Sequence, residues 1–470
     1  MGTELELDKV RPSHCHGADN ILYLINRFIN EVFMIDFRPE ELRSASIYQI
    51  FPRNYTAEGT LQAAAARLPE PAELGFDFVY LTPVHPIGKI KRKGSLGSPY
   101  AIADYRAVDP LLGGEAGLRT FIAEAHRLGL GVIMDVVYNH TSPDSVLVQE
   151  HPEWFWKNDG ALSPRIAEWS DVVDLDYSRK ELWDYQIETL RLWADFGADG
   201  FRCDVASLVP LEFWIAARER LAAYRRAADK CPLLWLAESV HKEFVVECRR
   251  RGLYAASDPE LHAAFDISYD YDGREELEAA WRGELSLSYY LRHLEVQEAL
   301  YPQRAVKLRF LENHDQGRAA ARFGRGARLR NWTLFSMLLP GTFMAYMGEA
   351  LAMERRIGLF ERESMLVEEG DGAFKPFFAR ALSLSKAIKA EAPLFDARLL
   401  AEGVVLVRRH GKGRSYRAIL NMDGRSGRIE LPLGGAALEE TLDGEVLMGE
   451  RVESGSTSLL LGREPLVVRV

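Results

Sequence analysis

Cysteine is scarce in this chain and forms no recognisable pattern. The 470 residues include four cysteines, with neither a CxxC pair nor the dense spacing of a disulfide-rich secreted domain. The amino terminus, MGTELELDKVRP, lacks the charged-then-apolar profile of a signal peptide. These absences predict a cytoplasmic protein.

Long apolar runs are missing as well. The apolar stretch at residues 20–36 is too broken to span a bilayer, because it is interrupted by Asn26, Arg27, Asn30 and Glu31. We expect it to form an amphipathic helix within an N-terminal extension, residues 1–44. The net charge of −11 argues against nucleic acid or an anionic membrane as a partner.

The chain does contain a regular alternation of short apolar strands and helical segments. The predicted strands cover residues 46–51, 76–82, 131–137, 200–203, 233–237, 263–267, 306–311 and 342–347. Parallel strands joined by right-handed helical crossovers close into a barrel when eight such units follow one another. The sequence therefore predicts an α/β protein with a (β/α)8 TIM barrel over residues 45–390.

Two regions depart from this alternation. Residues 138–177, after the third strand, are more than a crossover requires and show no clean periodicity, which predicts a short inserted excursion. Beyond residue 390, segments such as GVVLVRR and PLVVRV alternate apolar and polar residues between Gly-rich turns. This pattern predicts a C-terminal antiparallel β-sandwich over residues 391–470.

Three carboxylates follow apolar strand segments: Asp204 in GFRCDVA, Glu238 in LLWLAES and Asp315 in FLENHDQ. The carboxyl ends of barrel strands share one face, where the active sites of such barrels lie. Two carboxylates there can act as nucleophile and as proton donor to a glycosidic oxygen, the chemistry of a retaining glycosidase. With 69 acidic residues in the chain, any one of these positions could also arise by chance as a strand-end turn.

The neighbours of these acids favour the catalytic interpretation. Arg202 lies two residues before Asp204, so both side chains point to the same side of a strand. A nearby arginine lowers the pKa of a carboxyl group, as a nucleophile requires. Glu238 follows an apolar run, which should raise the pKa of its carboxyl group. We therefore expect Asp204 to be the nucleophile and Glu238 the acid.

Four stretches resemble, in order, the signature regions of the α-amylase superfamily of glycoside hydrolases (family 13 type). They are DVVYNH (135–140), GFRCDVA (200–206), the Glu238 stretch and FLENHDQ (310–316). The resemblance implies a catalytic barrel acting on α-glucosidic bonds, with Asp204 as nucleophile, Glu238 as general acid/base and Asp315 as transition-state stabiliser. It also implies that residues 138–177 form a short domain B that roofs the cleft.

The same resemblance implies further site residues. Those expected to bind the sugar or brace its site are Tyr100 in SPYAIADY, Asp135, His140, Arg202, His314 and Arg318. Some members bind calcium through the equivalent of Asn139. The sequence shows no DxDxDG loop and no zinc spacing such as HExxH, so no cofactor is expected to be required and calcium is left open.

One departure from the family pattern bears on the reaction. Many α-amylases carry a Lys-His pair three and four residues after the nucleophile, where this chain has Ser207 and Leu208. We expect a hydrolase of α-1,4-glucans or maltodextrins. Two alternatives stay open: a transglycosylase or phosphorylase using the same carboxylates, and a non-catalytic sugar-binding protein on the same fold. The complete set of carboxylates counts against the second alternative.

Overall fold

A closed barrel of eight parallel strands forms the centre of the computed structural model, which describes residues 37–430, 442, 444–450 and 458–470. Neighbouring strands follow one another in chain order around the barrel, and the eighth pairs with the first. The strands are β1 (Ser46–Ile50), β2 (Phe78–Leu81), β3 (Gly131–Val136), β4 (Gly200–Cys203), β5 (Leu234–Ala237), β6 (Ile267–Tyr269), β7 (Val306–Arg309) and β8 (Thr342–Tyr346). The predicted (β/α)8 barrel is confirmed.

Helices connect and flank these strands. In chain order they are α1 (Pro39–Ser44), α2 (Pro52–Tyr55), α3 (Leu61–Ala66), α4 (Pro69–Leu74), α5 (Gly114–Arg127), α6 (Val146–Glu150), α7 (Lys180–Phe196), α8 (Leu211–Ala227), α9 (Lys242–Arg250), α10 (Asp258–Leu261), α11 (Arg274–Trp281), α12 (Ser288–Leu300), α13 (Ala319–Phe323), α14 (Ala327–Leu338) and α15 (Phe374–Glu391). Within the described residues, no helix is both long enough and apolar enough to cross a bilayer. The amphipathic helix predicted at residues 20–36 lies outside the described residues.

The sixth strand begins later in the sequence than predicted. The prediction placed it at residues 263–267, whereas β6 spans Ile267–Tyr269. A capping box between Ser257 and Glu260 starts α10 just upstream, and the chain then turns before the strand begins. The apolar run that suggested a strand therefore belongs largely to the turn between α10 and β6.

Polar side chains lie at one end of the barrel, at the inward-facing positions of the strand ends. Apolar residues such as Ile133, Leu234 and Leu236 fill the barrel interior. Every second residue of a strand faces the same side, so the next inward positions on these strands are Asp135 and Glu238. The barrel interior is therefore filled with apolar side chains, whereas polar side chains lie at the carboxyl ends of the strands.

An excursion separates β3 from α7. Two short antiparallel ladders form there, one pairing residues 140–141 with 173–174 and the other pairing 157–158 with 161–162. The helix α6 and a 3₁₀ turn, Pro152–Trp154, complete it. Trp154 is buried and stacks on His151, with ring centroids 3.7 Å apart, so this tryptophan has a packing role.

The C-terminal part of the chain is antiparallel. One sheet contains β9 (Leu394–Ala401), β10 (Val404–Gly411), β11 (Arg414–Asn421), β15 (Leu466–Arg469) and β13 (Glu445–Met448), and a second pairs β12 (Gly427–Glu430) with β14 (Ser458–Leu461). Apolar side chains of both sheets share one cluster, which includes Leu406, Val468 and Leu459. The predicted C-terminal antiparallel sheet domain is confirmed.

Candidate active site

Arg202 lies at the centre of the carboxylates. Its Nη1 donates to both oxygens of Asp135, at 2.8 and 3.0 Å, and to Asp204 Oδ1 at 2.8 Å. Its Nη2 lies 2.7 Å from Glu238 Oε1 as an ion pair without hydrogen-bond alignment. The Asp135–Arg202 contact follows from the sheet register, in which these residues are direct neighbours on β3 and β4. One buried guanidinium therefore joins three acids predicted to belong to the site.

The backbone after β4 fixes the acid/base candidate. Val205 donates its amide hydrogen to Glu238 Oε2 at 2.8 Å. To do so Val205 adopts left-handed dihedral angles, φ 42° and ψ 43°, which a β-branched residue adopts rarely. Such strained residues cost about 1–3 kcal/mol and persist where the surrounding structure enforces them. The strain lies directly beside the predicted nucleophile.

Asp315 is held at the mouth of the barrel by a local turn. The side-chain oxygen of Asn313 accepts hydrogen bonds from the amides of Asp315 and Gln316, at 2.9 and 3.0 Å. Arg356 donates to the carbonyl of Asp315 at 2.8 Å. The carboxylate itself is 40% exposed, so this acid reaches into open space while its backbone is fixed.

A hydrogen-bonded chain links Tyr100 and His314 to the acids. Gln49 donates to His314 Nδ1 at 2.8 Å, which leaves the proton on Nε2. That nitrogen lies 2.6 Å from the hydroxyl of Tyr100 and 2.9 Å from Asp315 Oδ2, and Tyr100 donates onward to Asp135 Oδ2 at 3.1 Å. The two rings stack, with centroids 5.4 Å apart. The structure thus brings these predicted residues together around one cleft.

The electrostatics correct one expectation. Burial and the nearby Glu238 raise the pKa of Asp204 well above its ordinary value, although Arg202 lowers it. Burial also raises the pKa of Glu238, again against Arg202. The prediction of a low pKa for Asp204 is wrong, because burial and the nearby Glu238 outweigh the lowering by Arg202. The two buried acids instead form a coupled pair that retains a proton more strongly than isolated carboxyl groups do.

Asp315 is electrostatically different from this pair. The protein around this partly exposed carboxylate removes some solvent and would raise its pKa, but His314, followed by Arg202 and Arg356, lowers the pKa below its ordinary value. Asp315 therefore stays ionised where the pair keeps a proton. A fixed negative charge at this position can stabilise positive charge that develops on a sugar ring.

His140 lies buried at the start of the excursion. Burial lowers the pKa of its imidazole to about 4, so the ring is neutral near neutral pH. Asn139 donates to its Nδ1 at 3.1 Å, and Trp169 packs against the ring with centroids 5.7 Å apart. A neutral imidazole can donate or accept one hydrogen bond to a sugar hydroxyl.

The surroundings of Asn139 do not fit a calcium site. Calcium takes six to eight oxygen ligands. The nearby carboxylates are already paired with cationic side chains, Asp171 with Lys93 at 2.7 Å and Asp174 with Arg165 at 3.7 Å. No group of three or more His, Cys, Asp or Glu side chains in the described part of the chain could hold a metal ion.

Arg318 is buried behind the cleft. Its Nη1 donates to Glu312 Oε1 at 2.6 Å and to the carbonyl of Met347 at 2.9 Å, and its Nε donates to the carbonyl of Arg355 at 3.1 Å. These bonds brace the segment that follows Asp315. Its contact with a sugar stays a prediction.

Two site residues were missed by the sequence analysis. Gln49 orients His314, as described above, and Tyr80 donates to Asp135 Oδ2 at 2.6 Å. Gln49 lies on β1 and Tyr80 on β2, in segments that the sequence analysis interpreted only as apolar strands. The two-residue alternation of side chains could have identified them, because it places each on the inward face near the end of its strand.

Known proteins are similar to this chain in sequence and in fold. Residues 39–373 match the family model for the α-amylase catalytic domain. Among solved structures, an α-amylase from Lactobacillus plantarum is 36% identical with a TM-score of 0.84, covering 92% of this chain and 100% of that one. The maltogenic α-amylase AmyB from Thermotoga neapolitana is 31% identical with a TM-score of 0.79, covering 92% and 99%.

Curated relatives match over a shorter region. The α-1,4-glucan:maltose-1-phosphate maltosyltransferase of Salinibacter ruber is 37% identical over 207 residues, which cover 37% of this chain and 31% of the relative. The enzyme of the same name from Rhodospirillum rubrum is 37% identical over 203 residues and is covered to 29% of its length. The chain thus spans less than a third of these two relatives. The family-model match covers most of the chain, and the protein belongs to the α-amylase family of glycoside hydrolases.

Proposed function

We propose that the protein is a retaining enzyme that hydrolyses α-1,4-linked glucans or maltodextrins. The observation that carries this proposal is the contact of one buried guanidinium, that of Arg202, with both Asp204 and Glu238. It keeps a nucleophile and a proton donor side by side at the carboxyl ends of β4 and β5. Retaining glycosidases require such a closely spaced pair.

The mechanism follows from the roles of these groups. Glu238 protonates the glycosidic oxygen while Asp204 attacks the anomeric carbon, so the leaving sugar departs with the proton. A glycosyl ester of Asp204 results. Glu238, now ionised, removes a proton from water, and the water oxygen attacks the anomeric carbon and releases Asp204. Asp315 stabilises the positive charge on the sugar ring in both steps.

Transfer to a second acceptor is the other candidate function. The same ester intermediate can react with a sugar hydroxyl or with phosphate instead of water. The curated relatives, named as maltosyltransferases, favour this alternative. The solved relatives that the chain covers almost completely are named as amylases, and they favour hydrolysis.

Incubation with maltoheptaose, with and without phosphate, separates these reactions. Products that are only shorter than the substrate support hydrolysis. Products both longer and shorter show sugar transfer, and a phosphate-dependent sugar phosphate shows a phosphorylase. Maltoheptaose that stays unchanged under both conditions would contradict the proposed substrate class.

Replacement of the nucleophile tests the mechanism. Asp204→Asn is expected to abolish turnover while the folded structure is retained. Asp184→Asn is a matched control, because the Asp184 side chain is 70% exposed on α7. Substantial turnover by Asp204→Asn would exclude Asp204 as the nucleophile.

A further inference from the structure

A buried lysine lies behind the barrel wall, on the side that faces the helices. Lys307 is on β7, and its neighbours in the strand, Val306 and Leu308, belong to the apolar interior of the barrel. Because side chains alternate along a strand, Lys307 points outward, away from the cleft. The proposed reaction gives this buried cation no role.

The ammonium group of Lys307 links α10 to strand β6 and to the segment that follows it. It donates to the Asp258 carboxylate, to Ser268 Oγ at 3.1 Å and to the carbonyl of Tyr269 at 2.7 Å. It also lies 3.0 Å from Asp272 Oδ1. A buried charge is stable only when such partners replace its hydration, so these contacts fix the ammonium group and the Asp258 carboxylate together.

Ser239 connects this network to the predicted acid/base, which it follows directly in sequence. Its hydroxyl lies 3.0 Å from Asp258 Oδ2 and 3.0 Å from the carbonyl oxygen of Tyr269. The pairing of β5 with β6 ends at Ala237 and Ser268, so the acid/base itself lies beyond the ladder. The Ser239 hydroxyl therefore continues the link between the two strands where their backbone pairing stops.

Glu238 is thereby held from two sides. On the cleft side, Arg202 and the amide of Val205 contact its carboxylate. On the helix side, the buried hydroxyl of Ser239 anchors the next residue of the backbone to Asp258. A carboxyl group that must reach a glycosidic oxygen tolerates little displacement, since an error of about 1 Å can cost about 10²-fold in rate.

We propose that Asp258 and Lys307, acting through Ser239, are positioning residues for the acid/base Glu238. The inference deepens the proposed function and rests on it, since it assumes that Glu238 transfers the proton. The network lies on the helix side of the barrel wall. Its loss should therefore impair proton transfer by Glu238 more than it impairs sugar binding.

A substrate that needs no proton donor separates positioning from general stability. The fluoride of α-maltosyl fluoride leaves as an anion, so its departure does not require protonation by Glu238, whereas cleavage of maltoheptaose does. For both substrates kcat/KM reports formation of the glycosyl ester. Ser239→Ala is expected to lower kcat/KM on maltoheptaose by about 10- to 100-fold and to leave kcat/KM on the fluoride within about threefold of the parent.

Lys307→Met perturbs the same network from another strand. It removes the charge and keeps a long side chain, and the ratio of the two kcat/KM values should fall as it does for Ser239→Ala. Ser239→Thr keeps the hydroxyl and should restore most of the ratio. Should Lys307→Met fail to fold, Ser239→Ala decides by the same criterion.

Azide gives an independent readout of the second step. Water needs Glu238 as a base to attack the glycosyl ester, whereas azide attacks as an anion and has no proton to lose. Added azide should therefore raise kcat on α-maltosyl fluoride more in Ser239→Ala than in the parent, with a glycosyl azide as the product.

Asp266→Asn is the matched control. Asp266 forms a comparably buried ion pair with Arg218, at 2.6 Å, and accepts a hydrogen bond from the amide of Trp235 near the other end of β5. This variant should lower the melting temperature without changing the substrate ratio or the response to azide. Thermal unfolding of every variant measures the loss of stability.

The outcomes separate the two proposals. If the parent cleaves maltoheptaose but Ser239→Ala keeps the parent's substrate ratio, or loses activity on both substrates equally, the positioning proposal alone is overturned. If the parent cleaves neither substrate, the proposed function fails and the positioning proposal fails with it.

Discussion

Arg202 Nη2 lies 2.7 Å from Glu238 Oε1, and neither side chain has more than slight exposure to solvent. The guanidinium therefore contacts Glu238, the proposed proton donor, as closely as it contacts Asp204, the proposed nucleophile. Its charge limits repulsion between the two acids and fixes their spacing.

Arg202→Lys is expected to lower kcat by about 10²–10³-fold. A lysine carries a single compact charge and cannot reproduce the forked contacts to Asp135, Asp204 and Glu238. Steady-state kinetics on maltoheptaose measures the effect. Arg220→Lys is the control, because Arg220 is 46% exposed and forms a surface ion pair with Asp184 on α7. A kcat within about threefold of the parent would show that the guanidinium is dispensable.

The pH dependence of kcat/KM is expected to be bell-shaped. Activity requires one proton on the Asp204–Glu238 pair. Burial raises the pKa of both carboxyl groups, so the limb on which that proton is lost should lie above the ordinary range of a glutamic acid. Initial rates between about pH 4 and pH 9 measure it. A basic limb at or below the ordinary glutamate pKa would contradict the assigned burial effect.

Much of the barrel and its acids could be predicted because both depend on local sequence pattern. Short apolar runs ending in Asp204, Glu238 and Asp315 indicate strand ends, and the resemblance to a known family orders them. The sixth strand was misplaced because the run at residues 263–267 is equally compatible with the turn after α10.

Other features depend on contacts between distant segments, which no local pattern encodes. Gln49 meets His314 across 265 positions of sequence. The pKa of Asp204 depends on burial by the whole barrel and on Glu238. Both raise it, and together they outweigh the lowering by Arg202, the neighbour in sequence from which a low pKa was predicted. The left-handed conformation of Val205 opposes the preference of its residue type and is imposed by the tertiary structure.

Removal of divalent metal ions should leave stability unchanged. Lys93 and Arg165 lie within ion-pair distance of Asp171 and Asp174, the acids near Asn139, so we expect the fold not to need a bound cation there. Thermal unfolding with and without EDTA is expected to give melting temperatures within about 1 °C, because only a ligand that binds the folded state shifts the transition. A marked decrease that calcium reverses would reveal a site.

Asp174 should make stability depend on pH. Burial raises the pKa of its carboxyl group to about 6, with Arg165 opposing. The folded state therefore binds this proton more tightly than the unfolded chain does. Its stabilising contribution is complete below the unfolded pKa, near 4, and is lost as the pH rises through about 6.

Asp174→Asn removes this dependence. Relative to the parent, the free energy of unfolding of the variant should increase by about 3 kcal/mol between about pH 4 and pH 8, since two pKa units correspond to roughly that amount. Urea unfolding at several pH values measures the difference. Asp184→Asn, at an exposed position, should show a difference that does not vary with pH. A constant difference for Asp174→Asn would show that Arg165, 3.7 Å away, compensates the charge of the buried carboxylate and that its pKa is not raised.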